Sequence, residues 1–166
     1  MSNPLSKHWK PILAVPIRFY LGFLFLSACW HKILHPGSFA LDIATYQILP
    51  VIFVNLMAIT LPWVELAAGL MLLLGWRTRA GALLIVGMMS VFTLALVIAV
   101  LRGLDMSCGC FASQGVAEDP ISWATVARDL FWLFLSLFVL FFDRSYWGLD
   151  AQTQREKSSN IQENNP

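Results

Sequence analysis

The residues with the plainest chemistry are the thiols of Ser107-Cys108-Gly109-Cys110-Phe111. Two cysteines separated by one glycine can close a small disulfide ring, and glycine supplies the unusual backbone angles that such a ring needs. A ring of that size is strained, and strain raises the reduction potential. Cys108 and Cys110 are therefore candidate catalytic residues, a dithiol that cycles and exchanges with the thiols of another protein. The same residues also fit a structural link from Cys29 to one of the pair, or inert thiols with no role. A zinc site needs four ligands. His31 and His35 complete one with the cysteines only if the two loops meet. Three cysteines are too few for a disulfide scaffold.

The second set of candidates is charged and lies inside apolar sequence. Arg18 and Glu65 each interrupt a long hydrophobic block. A charge in hydrocarbon is costly unless paired, so an Arg18–Glu65 pair is expected. Counted along two antiparallel helices, Arg18 is about 10 Å from the start of its block and Glu65 about 15 Å from the end of its own, at 1.5 Å per residue. Such a pair serves either as a packing staple or as a proton or quinone-headgroup site, with Arg18 and Glu65 as the cofactor-binding residues and a quinone as the cofactor. Lys32, Arg128 and Asp129 form a shallower charged set. Adjacent helical residues point about 100° apart, so Lys32 to Asp129 is the expected contact. His31 and His35 are four apart and suit one helix face, which Pro36 ends. Pro62 breaks the hydrogen-bond ladder beside Trp63 and Glu65. There is no Gly-rich phosphate loop, no Ser/His/Asp set and no HExxH, and no metal is assigned.

These residues must be held by membrane helices. The chain has 166 residues, 58% hydrophobic and 13% charged, where a soluble domain carries about a quarter charged. The apolar excess falls in four blocks, each near the roughly 20 residues of a bilayer crossing. They run from about Pro11 to Leu34, Val51 to Gly75, Ala80 to Leu101, and from Asp119-Pro120 to Phe142. The last opens on an N-cap followed by proline. No block alternates with period two, which argues against a barrel, and helices satisfy the backbone in lipid. The expected fold is all-α, an integral membrane four-helix bundle over residues 11–142. A basic lead (1–10) precedes it and a polar, disordered tail (143–166) follows. His35 to Leu49, with Phe39, Ile43, Tyr46 and Leu49, reads as an amphipathic segment on the membrane interface. Gly75-Trp76-Arg77-Thr78-Arg79 is a tight turn.

Orientation follows from the flanking charges. Lys7, Lys10, Arg77, Arg79, Arg144, Arg155 and Lys157 fall on one side, and Lys32, Arg102 and Arg128 on the other. Both termini are thus expected in the cytoplasm, with loops 35–50 and 102–120 on the oxidising, periplasmic side of an inner membrane. Leu26-Ser27-Ala28-Cys29 imitates a lipoprotein cleavage site, but Arg18 in the apolar run and three later spans favour an uncleaved anchor. The net charge of +1 offers no field for nucleic acid.

Several strings together resemble the MauE/DoxX family. They are Arg18-Phe19-Tyr20-Leu21-Gly22 with Phe25, then Lys32-Ile33 and Pro36-Gly37-Ser38-Phe39. Leu61-Pro62-Trp63-Val64-Glu65-Leu66 with Gly69 and Gly75, then Thr78-Arg79, continue the likeness. Cys108-Gly109-Cys110-Phe111 and Arg128-Asp129 complete it. The likeness covers roughly residues 16 to 142, and Cys29 has no place in the pattern. It implies a four-helix inner-membrane protein linked to redox processes. In the MauE branch these concern methylamine utilisation and maturation of the disulfide-rich small subunit of methylamine dehydrogenase. In the DoxX branch they concern quinone and sulfur oxidation or oxidative-stress complexes. The implied partners are the lipid bilayer and a periplasmic thioredoxin-fold or disulfide-rich protein. Rival readings are a non-enzymatic scaffold of a redox complex and a small-solute transporter component.

Overall fold

The computed structural model describes residues 9–104 and 121–143. Among them are five helices and no strand. They are α1 (Trp9–Leu34), α2 (Pro36–Thr45), α3 (Val51–Leu74), α4 (Thr78–Leu101) and α5 (Trp123–Phe142). Four of them are long and apolar enough to cross a membrane, and the protein is a multi-pass membrane protein. Much of its surface is apolar, with Ile12, Phe23, Ile52, Leu83, Phe134 and Phe141 all exposed. That is the surface a lipid solvent requires.

The helices form a bundle in which α1 packs on α3, α3 on α4, α4 on α5 and α5 on α1. The start of α1, the α3–α4 turn and the end of α5 share one end, called here the turn end. The opposite end is the α2 end. In lipid no hydrophobic force drives helices together, so close packing of small residues and polar pairing must do it. Ala14, Ala28, Ala58, Ala68, Ala82 and Ala99 are accordingly buried. The tightest crossing is at Gly22 of α1 and Gly69 of α3. A Cβ added to Gly69 would meet the Gly22 carbonyl oxygen at 3.1 Å, and one added to Gly22 would meet Leu73 at 2.8 Å. The larger apolar core joins Leu21, Phe25, Leu72, Ile85, Met89 and Val139. A smaller one at the α2 end joins Tyr46, Leu96, Ala99 and Val126.

The α3–α4 turn is set by Gly75, whose backbone is left-handed (φ 65°, ψ 32°) and caps α3. Arg77 is also left-handed (φ 48°) and precedes α4. The sequence boundaries hold closely for α1, α3 and α4. The fourth span differs. Ser122 is extended (φ −149°, ψ 170°) and its carbonyl accepts the first bond from Val126 at 3.2 Å. The helix therefore starts at Trp123 instead of Asp119-Pro120, which lie outside the described residues. Around Pro36 the chain behaves as expected. His35 stands between α1 and α2 with Pro36 at the start of α2. The His31 and His35 rings lie 4.7 Å apart on one face. Helix α3 runs through Pro62 unbroken.

Candidate functional site

Arg18, Lys32, Glu65 and Asp129 are all buried, each at 7% relative exposure or less. Lys32 Nζ donates to both carboxylate oxygens of Glu65, at 2.7 and 3.0 Å. Arg18 instead donates to Asp143 Oδ2 at 3.3 Å, just past the end of α5. The expected Arg18–Glu65 pair is therefore corrected. The reason lies in side-chain direction. From the Gly22–Gly69 crossing, Glu65 lies four positions toward the α2 end and Arg18 four toward the turn end. Their levels differ by about 12 Å at 1.5 Å per residue. Helical side chains lean toward their own N-terminus. In antiparallel α1 and α3 this turns Arg18 and Glu65 away from each other. The same lean brings Lys32 and Glu65 together, although Lys32 lies about 9 Å beyond Glu65 along the bundle.

The expected Lys32–Asp129 contact is corrected too. Lys32 is engaged by Glu65 and also sits 4.8 Å over the Phe39 ring. Asp129 has its neighbour Arg128 at 3.6 Å, the guanidinium curling back over Trp132 at 5.1 Å. That separation is an ion-pair contact and not a hydrogen bond.

Around the Lys32–Glu65 pair lies a cavity of about 480 Å³. Phe25, Phe39, Tyr46, Phe92 and Trp132 give it an aromatic wall, and Met57, Met88 and Met89 an adaptable one. It exists because α3 and α4 touch closely near their turn, where Gly81 meets Leu72 and Met71. Farther along, Met57 and Leu61 of α3 stand across the cavity from Gly87, Val91 and Ala95 of α4. Helix α2 covers the far side with Phe39, Asp42 and Ile43. Burial pushes the Asp42 carboxyl above the usual range, partly offset by the charges of Lys32 and His31. Asp129 reaches the wall from α5.

Of the site residues read from the sequence, Glu65 lines this cavity, whereas Arg18 lies toward the other end of the bundle and joins α1 to α5. Cys108 and Cys110 lie outside the described residues. Cys29 is buried one turn before Lys32 and donates to the Leu26 carbonyl at 3.2 Å. Among the described residues no three His, Cys, Asp or Glu side chains come together to hold a metal. Lys32, Asp42 and Trp132 were not foreseen as one site. The available signal was directional: a cation near the end of α1 leans back into the bundle.

The sequence profile of the family described as methylamine utilisation protein MauE matches residues 10–142. The chain belongs to the MauE family. It is 31% identical to the methylamine utilization protein MauE of Paracoccus denitrificans over 122 residues, 73% of this chain and 64% of that protein. It is 31% identical to the protein of that name from Paracoccus versutus over 121 residues, 72% of this chain and 64% of that protein. It is 30% identical to the one from Methylorubrum extorquens over 121 residues, with the same two shares. The matched part of this MauE-family chain thus spans less than two thirds of the length of these relatives. No solved structure matches it.

Proposed function

We propose that this MauE-family protein supports thiol–disulfide maturation of a periplasmic partner, with Cys108 and Cys110 as the exchanging pair. The observation that carries the reading is the Cys108-Gly109-Cys110 string in a member of a family whose relatives are named for methylamine utilisation. The string falls between Leu104, after α4, and Ile121, before α5. Both flanks belong to the α2 end of the bundle, away from the basic α3–α4 turn. In this reading the turn end faces the cytoplasm and the α2 end the periplasm. The pathway is methylamine utilisation, and the partner is a disulfide-rich or thioredoxin-fold protein.

The chemistry is an exchange of two electrons. The thiolate of one cysteine attacks a partner disulfide, forming a mixed disulfide and releasing one partner thiolate. The second cysteine then attacks its own neighbour's sulfur. That step leaves a Cys108–Cys110 disulfide and a partner with two thiols. Run in reverse, the same steps oxidise the partner.

The test is thiol alkylation in native membranes, with and without reductant, for the wild type, Cys108→Ser and Cys110→Ser. The expected result is an easily reduced disulfide in the wild type and a trapped mixed disulfide in one single variant. Fully reduced thiols, or a resistant internal link to Cys29 with no trapped partner, would overturn the exchange role and favour a scaffold.

A further inference from the structure

The cavity around Lys32 and Glu65 has the volume of a small-molecule site, about 480 Å³. Its charges do not balance. Three carboxylates reach the wall, Asp42 from α2, Glu65 from α3 and Asp129 from α5, against the single ammonium of Lys32. That ammonium is held by both Glu65 oxygens. Arg128 lies 3.6 Å from Asp129, but its side chain is 34% exposed, so it offsets Asp129 only in part. Even with Arg128 counted in full, two cations face three carboxylates. The excess falls on Asp42. Among the described residues its carboxylate makes no ion pair and accepts no hydrogen bond. Burial opposes its charge, and a monovalent cation beside it would relieve that.

The wall also has the chemistry that holds an ammonium. Lys32 shows it: its Nζ rests between the Glu65 carboxylate and the Phe39 ring, 4.8 Å from the ring centroid. Asp42 follows Phe39 by one turn and precedes Tyr46 by another, so the three share one face of α2, and all three line the cavity. The Tyr46 ring meets Phe92 of α4 edge to face at 6.1 Å. Beyond this corner the wall is apolar, from Met57 and Leu61 of α3 across to Gly87 of α4. Ile48, Leu49 and Val91 are exposed at the rim, so entry is from the lipid-facing surface. An occupant that fits has a cationic head and an apolar tail.

We propose that this cavity binds a protonated primary amine with an apolar tail, its ammonium donating to Asp42 and its tail lying between α3 and α4. Cys108 and Cys110 take no part in this binding, so its test is separate from the thiol test.

The probe is radiolabelled decylammonium, titrated onto the full chain in nanodiscs of phosphatidylcholine, whose headgroup has no N–H donor. His31 of α1 acts on the charge of Asp42, so the titration is run at about pH 8, above the ordinary imidazole range. The comparators are decanol, a neutral donor with the same tail, and decyl sulfate, an anion. One saturable site is expected, with both comparators weaker by about tenfold or more, the size of a hydrogen bond to a charged group. Asp42→Asn should weaken decylammonium by a similar factor and leave the melting temperature unchanged, because the carboxylate has no protein partner to lose. Gly87→Phe tests the tail. A Cβ added at Gly87 meets nothing within 4 Å, and the ring should fill the space and abolish binding. Replacing part of the lipid with phosphatidylethanolamine separates two sources of the same chemistry: competition identifies a lipid headgroup, and unchanged affinity a free amine. Non-saturable partitioning, decanol or decyl sulfate binding as tightly as decylammonium, or unchanged binding by Asp42→Asn or by Gly87→Phe would overturn the proposal.

Discussion

At the residue scale the protein is governed by charges held in an apolar solvent. The types were legible in the sequence: Arg18, Lys32, Glu65 and Asp129 all stood out as charges inside or beside hydrophobic blocks. Their pairing was not, because Cα depth alone ignores the direction in which helical side chains lean. Asp143 was equally hard to see. It reads as the first residue of a polar tail, yet it sits buried against Arg18. The Lys32–Glu65 pair gives a sharp prediction. Breaking a buried pair by removing one partner costs about 3–5 kcal/mol, whereas replacing both with apolar residues is often neutral. Glu65→Leu alone should lower the melting temperature in detergent strongly, and Lys32→Met with Glu65→Leu should recover most of the loss. A double variant no more stable than the single one would mean that the pair is not what stabilises this region.

At the element scale the four spans could be read directly, because about twenty consecutive apolar residues have few other uses. The start of α5 could not. Asp119-Pro120 carries a good capping signal, but Ser122 takes the extended conformation and the helix begins behind it. The segment after Pro36 forms α2. Its apolar residues Phe39 and Tyr46 are buried against the bundle, a destination that periodicity alone does not reveal. The strongest element contact is the crossing of α1 and α3 at Gly22 and Gly69. Gly69→Val should be much more damaging than Gly87→Val, although both are glycines in apolar helices. The first would drive a side chain against the Gly22 backbone at 3.1 Å, and the second meets open space. Detergent melting curves of the two variants check this, with a gap of several degrees expected. Equal melting temperatures would show that the crossing can open without cost.

At the scale of the whole molecule, the bundle closes through α1, which packs on both α3 and α5. Arg18–Asp143 ties α1 to α5 near the turn end, and Trp132 donates to the Tyr20 hydroxyl at 3.3 Å farther along. Lys32–Glu65 ties α1 to α3 nearer the α2 end. With four spans among the described residues, the start of α1 and the end of α5 lie at one end of the bundle, and the basic flanks predict that this end faces the cytoplasm. Reporter fusions after Asp143 and within the α4–α5 connection should read cytoplasm and periplasm respectively. The reverse pattern would place Cys108 and Cys110 in a reducing compartment and remove the oxidising setting that thiol exchange requires.

The convergence of Lys32 and Glu65 also bears on how the chain is made. Helix α1 emerges from the ribosome first and can hold Lys32 near its end, where a long side chain snorkels to the interface. Helix α3 emerges later with Glu65 well inside it, where a lone ionised group disfavours insertion by about 3 kcal/mol. The acid finds its counter-ion only if α1 is still beside the insertion site. The order of the helices along the chain thus places the cation before the anion that pairs with it.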